Sequence, residues 1–188
     1  MTSFHLSPLP MSQPQLGTPF KVAVTGHCHL DAATTEAFVT DACTTVLQEL
    51  QQAHPEGLVA LSGLAPGADT IFAEVALRLS LPLEACIAAA NVLEKYAPGS
   101  EMDQHLRLRQ ASRRVHALPF IERSGSAYVA LGHWLVHACD LLIAVWNGQP
   151  ALKPGGTGDV VTYACSYGRP IIHIHTVEHT ICPIEISV

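Results

Sequence analysis

Two apolar rhythms alternate along the chain from residue 20 onward. Phe20-Lys21-Val22-Ala23-Val24 is a short, mostly apolar run that stops at Thr25-Gly26, the pattern of a strand buried on both faces. Beyond Asp31, apolar residues come in adjacent pairs at 38/39, 42/43 and 46/47, followed by Leu50. This four-residue spacing predicts an amphipathic helix with Asp31 as its N-cap. The alternation then repeats. Strands are predicted over 57–61, 83–89, 115–118, 140–146 and 170–175, and helices over 68–79, 101–114, 127–138 and 157–167. Strands alternating with helices imply βαβ units closed by right-handed crossovers. The expected fold is α/β, a Rossmann-like three-layer sandwich with a mostly parallel sheet.

Residues 1–18 break the rhythm. Pro8, Pro10 and Pro14 stand among Ser, Thr and Gln without periodicity, so this stretch is expected to be a flexible lead-in to a single domain over 19–188. The chain has 188 residues, 48% hydrophobic and 14% charged, which excludes a disordered protein and favours a large core. No apolar run reaches the ~18 residues of a membrane span, and no basic, apolar leader precedes Lys21. The six cysteines lie far apart without a Cys-x-x-Cys pair, as in a reduced, cytoplasmic protein. A net charge of −6 argues against bulk attraction to nucleic acid or an anionic membrane.

Ligands of such sheets bind beyond the carboxyl ends of the strands, where loops run into helix N-termini. Three loops there carry candidate chemistry. In Thr25-Gly26-His27, the glycine permits close backbone approach and the imidazole is a donor or a stacking ring. In Ser62-Gly63-Leu64-Ala65-Pro66-Gly67-Ala68-Asp69, free N–H groups and the helix dipole favour an anion, while Asp69 is placed to cap backbone donors or hold a ribose hydroxyl. In Pro154-Gly155-Gly156-Thr157-Gly158-Asp159, successive glycine amides make an anion nest and Thr157 adds a hydroxyl. None of the three fits G-x-G-x-x-G or the P-loop, so an ordinary dinucleotide dehydrogenase or NTPase is not expected.

These loops carry a resemblance. Leu61 to Asp69 resembles the Ser-Gly-x-Ala-x-Gly-x-Asp turn of DNA-processing protein A and its relatives. The strand Asp140 to Val145 followed by Pro154-Gly155-Gly156-Thr157 is similar to the Pro-Gly-Gly-x-Gly-Thr region of LONELY GUY proteins, the lysine-decarboxylase-like group that releases free base from nucleoside monophosphates. Both groups belong to the SLOG superfamily of Rossmann-like nucleotide-binding domains. The resemblance covers roughly residues 20–175 and implies that the glycine loops hold the phosphate and ribose of a nucleotide or nucleotide derivative. The departures concern catalysis. The hydrolases place a Glu after the glycine loop and an Arg on the preceding helix, whereas this chain has Asp159-Val160-Val161-Thr162-Tyr163 and offers His133 and His137.

Other residues enter with competing readings. Arg107, Arg109, Arg113, Arg114 and Arg123 are half of the 10 basic residues. On a helix over 101–114, Arg109 and Arg113 share a face, as a solvated surface pairing with Glu101, Asp103 and Glu122 or as an anion clamp. His173 and His175 alternate along a strand, but no recognised ligand spacing accompanies them, and no metal or cofactor is expected. Trp146 ends the strongest strand as a core residue or a stacking platform, and 147–153 is long enough to flap over the site. The sequence therefore points to a ligand-binding or sensor protein for a small nucleotide-like molecule, and the resemblance, with the high apolar fraction, implies a homodimer. The alternative is a LONELY GUY-like N-glycosidic hydrolase with Asp159 or His27 in the acid–base role. Binding of single-stranded DNA is the weakest reading; the chain lacks interleaved aromatic and basic residues, so nucleic acid is not expected as a partner.

Overall fold

The computed structural model describes residues 18–30, 32–96 and 98–184. The lead-in expected at its N-terminus and the Asp31 cap fall outside them, apart from Thr18; the capping position of the first helix is Ala32. In chain order the elements are β1 (Phe20–Gly26), α1 (Ala33–Ala53), β2 (Leu58–Ser62), α2 (Ala68–Arg78), β3 (Leu83–Ile87), a 3-10 turn (Val92–Lys95) and α3 (Ser100–Ala111). There follow β4 (Arg114–Ala117), α4 (Gly125–Ala138), β5 (Leu141–Trp146), α5 (Thr157–Tyr167), β6 (Ile171–His175) and β7 (Thr180–Ile184).

One sheet in the order β4-β3-β2-β1-β5-β6-β7 collects all seven strands, parallel except for β7, which runs antiparallel to β6. The apolar runs of β1, β2, β3, β5 and β6 are strands covered on both sides, while β4 at the sheet margin is mostly exposed. Along β5, Leu141, Ile143 and Val145 join the larger core under α1, α2 and α3, while Leu142 and Ala144 join a second core under α4 and α5. The periodicity of α1 has the same cause: its buried residues are Val39, Ala42, Cys43, Val46, Leu47 and Leu50. On the second face the close approach of α4 to α5 depends on Gly132, whose Cβ would lie 2.5 Å from Val160 Cγ2.

Two departures from the sequence reading matter for the site. Helix α3 stops at Ala111, where the Ser112 hydroxyl turns back to the Leu108 carbonyl, so Arg113 leaves the helix and does not share a face with Arg109. Instead Arg113 makes a two-pronged contact (3.0 and 2.7 Å) with Glu84 on β3, joined by His116 at 3.0 Å. Burial opposes ionisation of Glu84, but the bonds from His116 and Arg113 hold its carboxyl below the ordinary value. Arg107 pairs with Glu74 of α2, so the expected partners Glu101, Asp103 and Glu122 are not the ones used. Secondly, β7 extends the sheet past the last predicted strand.

Candidate functional site

Strand order reverses between β1 and β5. Chain segments from β1 lead out toward β4, and α4 then carries the chain back to β5. The crevice beyond the carboxyl ends of these two strands is where an open α/β sheet takes its ligand. Thr25, Gly26 and His27 leave β1 at this point and Trp146 leaves β5.

The β1 loop is the brace of the rim. His27 donates its N–H to the Val145 carbonyl (3.1 Å), and its own carbonyl accepts the Ala68 N–H (3.1 Å). Its Nε2 takes the Asn147 N–H at 3.2 Å; because an amide only donates, this fixes the imidazole with its proton on Nδ1. One residue thereby ties β5, α2 and the β5–α5 loop together. The space left by Gly26 is filled from within the protein: a Cβ there would lie 2.4 Å from Ala68 Cβ and 2.9 Å from Val145 Cβ. Gly67 is likewise a packing glycine, with φ +76° and its missing Cβ 2.5 Å from the His27 carbonyl oxygen.

The β2–α2 loop satisfies its own amides. The fully buried Ser62 hydroxyl donates to the Asp69 carbonyl (3.1 Å) and accepts the Leu64 N–H (3.0 Å). Asp69 folds its carboxylate back over the turn, accepting the Ala65 N–H at 3.4 Å and sitting against Gly63, whose Cβ would meet Oδ2 at 2.9 Å. Ser62 and Asp69 therefore take the Leu64 and Ala65 N–H groups and the His27 carbonyl takes that of Ala68, while the Asp69 and Thr70 N–H groups at the start of α2 have no partner among the described residues. Burial pushes the Asp69 carboxyl up to about 7, against the pull of the Ala65 and Gly63 amides and Lys95.

The β5–α5 loop is different. Gly155, at φ +78°, passes 2.7 Å (counted from its missing Cβ) from the backbone of Tyr128 and Val129 and gives its N–H to Asp159 Oδ2 at 3.0 Å. The Gly156 N–H closes a turn on Lys153. Among the described residues, the N–H groups of Thr157 and Gly158 and the hydroxyl of Thr157 have no protein partner. These three donors share the positive end of α5. The 149–151 segment closes over them, so near that a Cβ on Gly158 would lie 2.7 Å from the Ala151 nitrogen. Trp146 holds this strap: its indole N–H donates to the Gln149 carbonyl at 2.7 Å. Its ring leans on His173, which donates from Nε2 to the Trp146 carbonyl at 3.0 Å.

Sequence reasoning passed over Lys95, Tyr96 and His105. Tyr96 is wedged under the β2–α2 loop with its hydroxyl 3.5 Å from the Leu64 carbonyl, to which the buried His105 donates from Nδ1 at 3.0 Å. Burial lowers the basicity of this imidazole, and its buried Nε2 has no partner among the described residues. The signal in the sequence was slight: a lysine and a tyrosine after the third strand, and a histidine on a polar helix.

No protein-family model and no curated protein matches the chain. Solved structures do. DNA processing protein A from Streptococcus pneumoniae superposes with a TM-score of 0.58 at 19% identity, over 82% of this chain and 50% of that one. The Helicobacter pylori protein of the same name gives 0.55 at 20% identity, over 83% and 65%. The molybdenum cofactor binding protein from Rippkaea orientalis gives 0.55 at 15% identity, over 83% and 76%. The chain shares the Rossmann-like α/β fold of these proteins. It spans half to about two thirds of the DNA processing protein A chains it matches. These neighbours correct one expectation. Nucleic acid was not expected as a partner, yet the Helicobacter pylori protein is described by its single-stranded DNA binding mode. Net charge is an average over the whole surface and does not govern a local phosphate contact. No helix among the described residues is long and apolar enough to cross a membrane.

Proposed function

We propose that the protein binds a nucleotide or nucleotide derivative in the crevice between β1 and β5, with a phosphate seated on the N-terminus of α5. The observation that carries this reading is the set of three unpartnered donors, the Thr157 and Gly158 N–H groups and the Thr157 hydroxyl, at the point of strand reversal. Backbone amides at a helix start, with the helix dipole behind them, suit a phosphate. Ser62, Gly63, Gly67 and Asp69 support the site as its scaffold, and Gly155 and Gly156 shape the turn. Both groups suggested for acid–base work have structural partners: Asp159 caps Gly155, and His27 Nε2 accepts from Asn147. This favours binding over hydrolysis.

A single substitution tests the seat. Gly156 has φ −73° and ψ 167°, a conformation allowed before proline, and Thr157 is the first helical residue, where proline is tolerated. Thr157→Pro therefore deletes one donor N–H and the hydroxyl while leaving the helix in place. AMP affinity, read by calorimetry, is expected to fall at least about tenfold, the worth of one charge-assisted hydrogen bond. Thr157→Ala separates the hydroxyl from the amide. Unchanged affinity in the proline variant places the phosphate elsewhere. Free adenine released from AMP, and lost in Asp159→Ala, would turn the reading into hydrolysis. The likeness to DNA processing protein A favours a second reading, in which the phosphate belongs to single-stranded DNA; retardation of a short oligonucleotide that Thr157→Pro abolishes, without AMP binding, would select it.

A further inference from the structure

Lys95 closes the 3-10 turn after β3, half-buried, with Nζ 4.7 Å above the centre of the Tyr96 ring. Tyr96 itself is 6% exposed and fixed under the β2–α2 loop, so the lysine rides on a rigid base. Among the described residues, Nζ has neither a hydrogen bond nor an ion pair. Its electrostatic surroundings come from four elements: burial holds the ammonium below its ordinary range, the Cys28 thiol, Asp69 and Glu101 pull it up, and Arg123 pushes it down.

Arg123 is held to the same place by its backbone. Its N–H donates to Asn91 Oδ1 at 2.8 Å, while the Asn91 and Ala90 N–H groups take the Ile121 and Phe120 carbonyls at 3.2 and 2.9 Å. The loops after β3 and β4 are thus sewn together, each with a cation whose side chain makes no ion pair among the described residues. Neither cation is neutralised by a direct ion pair among the described residues, so both keep donors free for an anion.

We infer that Lys95 and Arg123 form a second phosphate arm, and that the ligand is a nucleotide carrying a further phosphate besides the one on α5. This rests on the reading above and names its substrate class. Lys95 supplies the desolvated point charge and Arg123 the planar fork of donors.

The test compares AMP with ADP and adenosine 3′,5′-bisphosphate by calorimetry. Wild type is expected to bind at least one of the two bisphosphorylated nucleotides about tenfold more tightly than AMP, as one added charge-assisted contact provides. Lys95→Met keeps the aliphatic stem and should erase that gain while leaving AMP affinity in place; the exposed Arg123→Gln should reduce it. Lysines stand only at 21, 95 and 153, so reductive 13C-methylation gives a separate readout in the native chain. The Lys95 resonance should move with the second phosphate, and the Lys21 resonance should stay. If AMP binds and neither second phosphate adds affinity, or the gain survives Lys95→Met, this inference falls alone. If wild type binds no AMP, the reading under Proposed function falls and takes this one with it.

Discussion

Two glycine loops on the same sheet edge are built from the same parts: a turn, a helix, and an aspartate in the first helical turn that reaches back to a loop amide. In the β2–α2 loop the aspartate, Asp69, is 6% exposed, and with Ser62 it takes the Leu64 and Ala65 N–H groups. In the β5–α5 loop the aspartate, Asp159, is exposed and takes only the Gly155 N–H, leaving the buried Thr157 and Gly158 N–H groups without a partner among the described residues. Burial separates the two aspartates, one locked inside the scaffold and one at the surface. A glycine-rich turn advertises close approach, and what approaches is decided by the rest of the fold. At Gly67 it is the β1 loop.

The contrast is broken most severely through Asp69. The folded protein holds its proton up to about 7, whereas the unfolded chain releases it near 3.8. The folded state therefore binds more protons across that interval, and stability should decline as pH rises through it and level off above it. The full decline is on the order of 4 kcal/mol at 1.36 kcal/mol per pKa unit. In Asp69→Asn this slope should vanish from urea titrations at a series of pH values; a slope equal to that of wild type would refute the assignment. Next in size, Gly67→Ala meets both a left-handed φ and the His27 carbonyl, and should destabilise by about 3 kcal/mol or more in chemical denaturation. Smallest, Asp159→Ala loses only an exposed cap and should cost about 1 kcal/mol. A loss as large as that of Gly67→Ala would mean that the two loops are equally structural.

Most of the fold was legible because the helices and sheet impose regular periods. The paired apolar positions of α1 and the continuous run of β5 needed no tertiary information. The end of α3 was not legible, because its polar pattern continues past Ala111 while the Ser112 hydroxyl and the buried Glu84 draw Arg113 toward the sheet. Strand β7 was missed for a similar reason: Thr180-Ile181-Cys182-Pro183-Ile184 has neither a clear alternation nor a length that announces a strand, and its pairing with β6 organises it. At the site, glycines, Ser62 and Asp69 were visible as a motif, but their state of occupation was not. Lys95 could not be picked out, since its meaning comes from the ring beneath it and the loop sewn beside it.

The two margins of the sheet carry their own consequence. At one, β4 is four residues long and displays Arg114 and His116; at the other, β7 bears Pro183, which has no N–H to offer. Short, charged or proline-bearing borders resist the addition of a foreign strand. Growth of the sheet from molecule to molecule through strand addition is therefore discouraged in both directions.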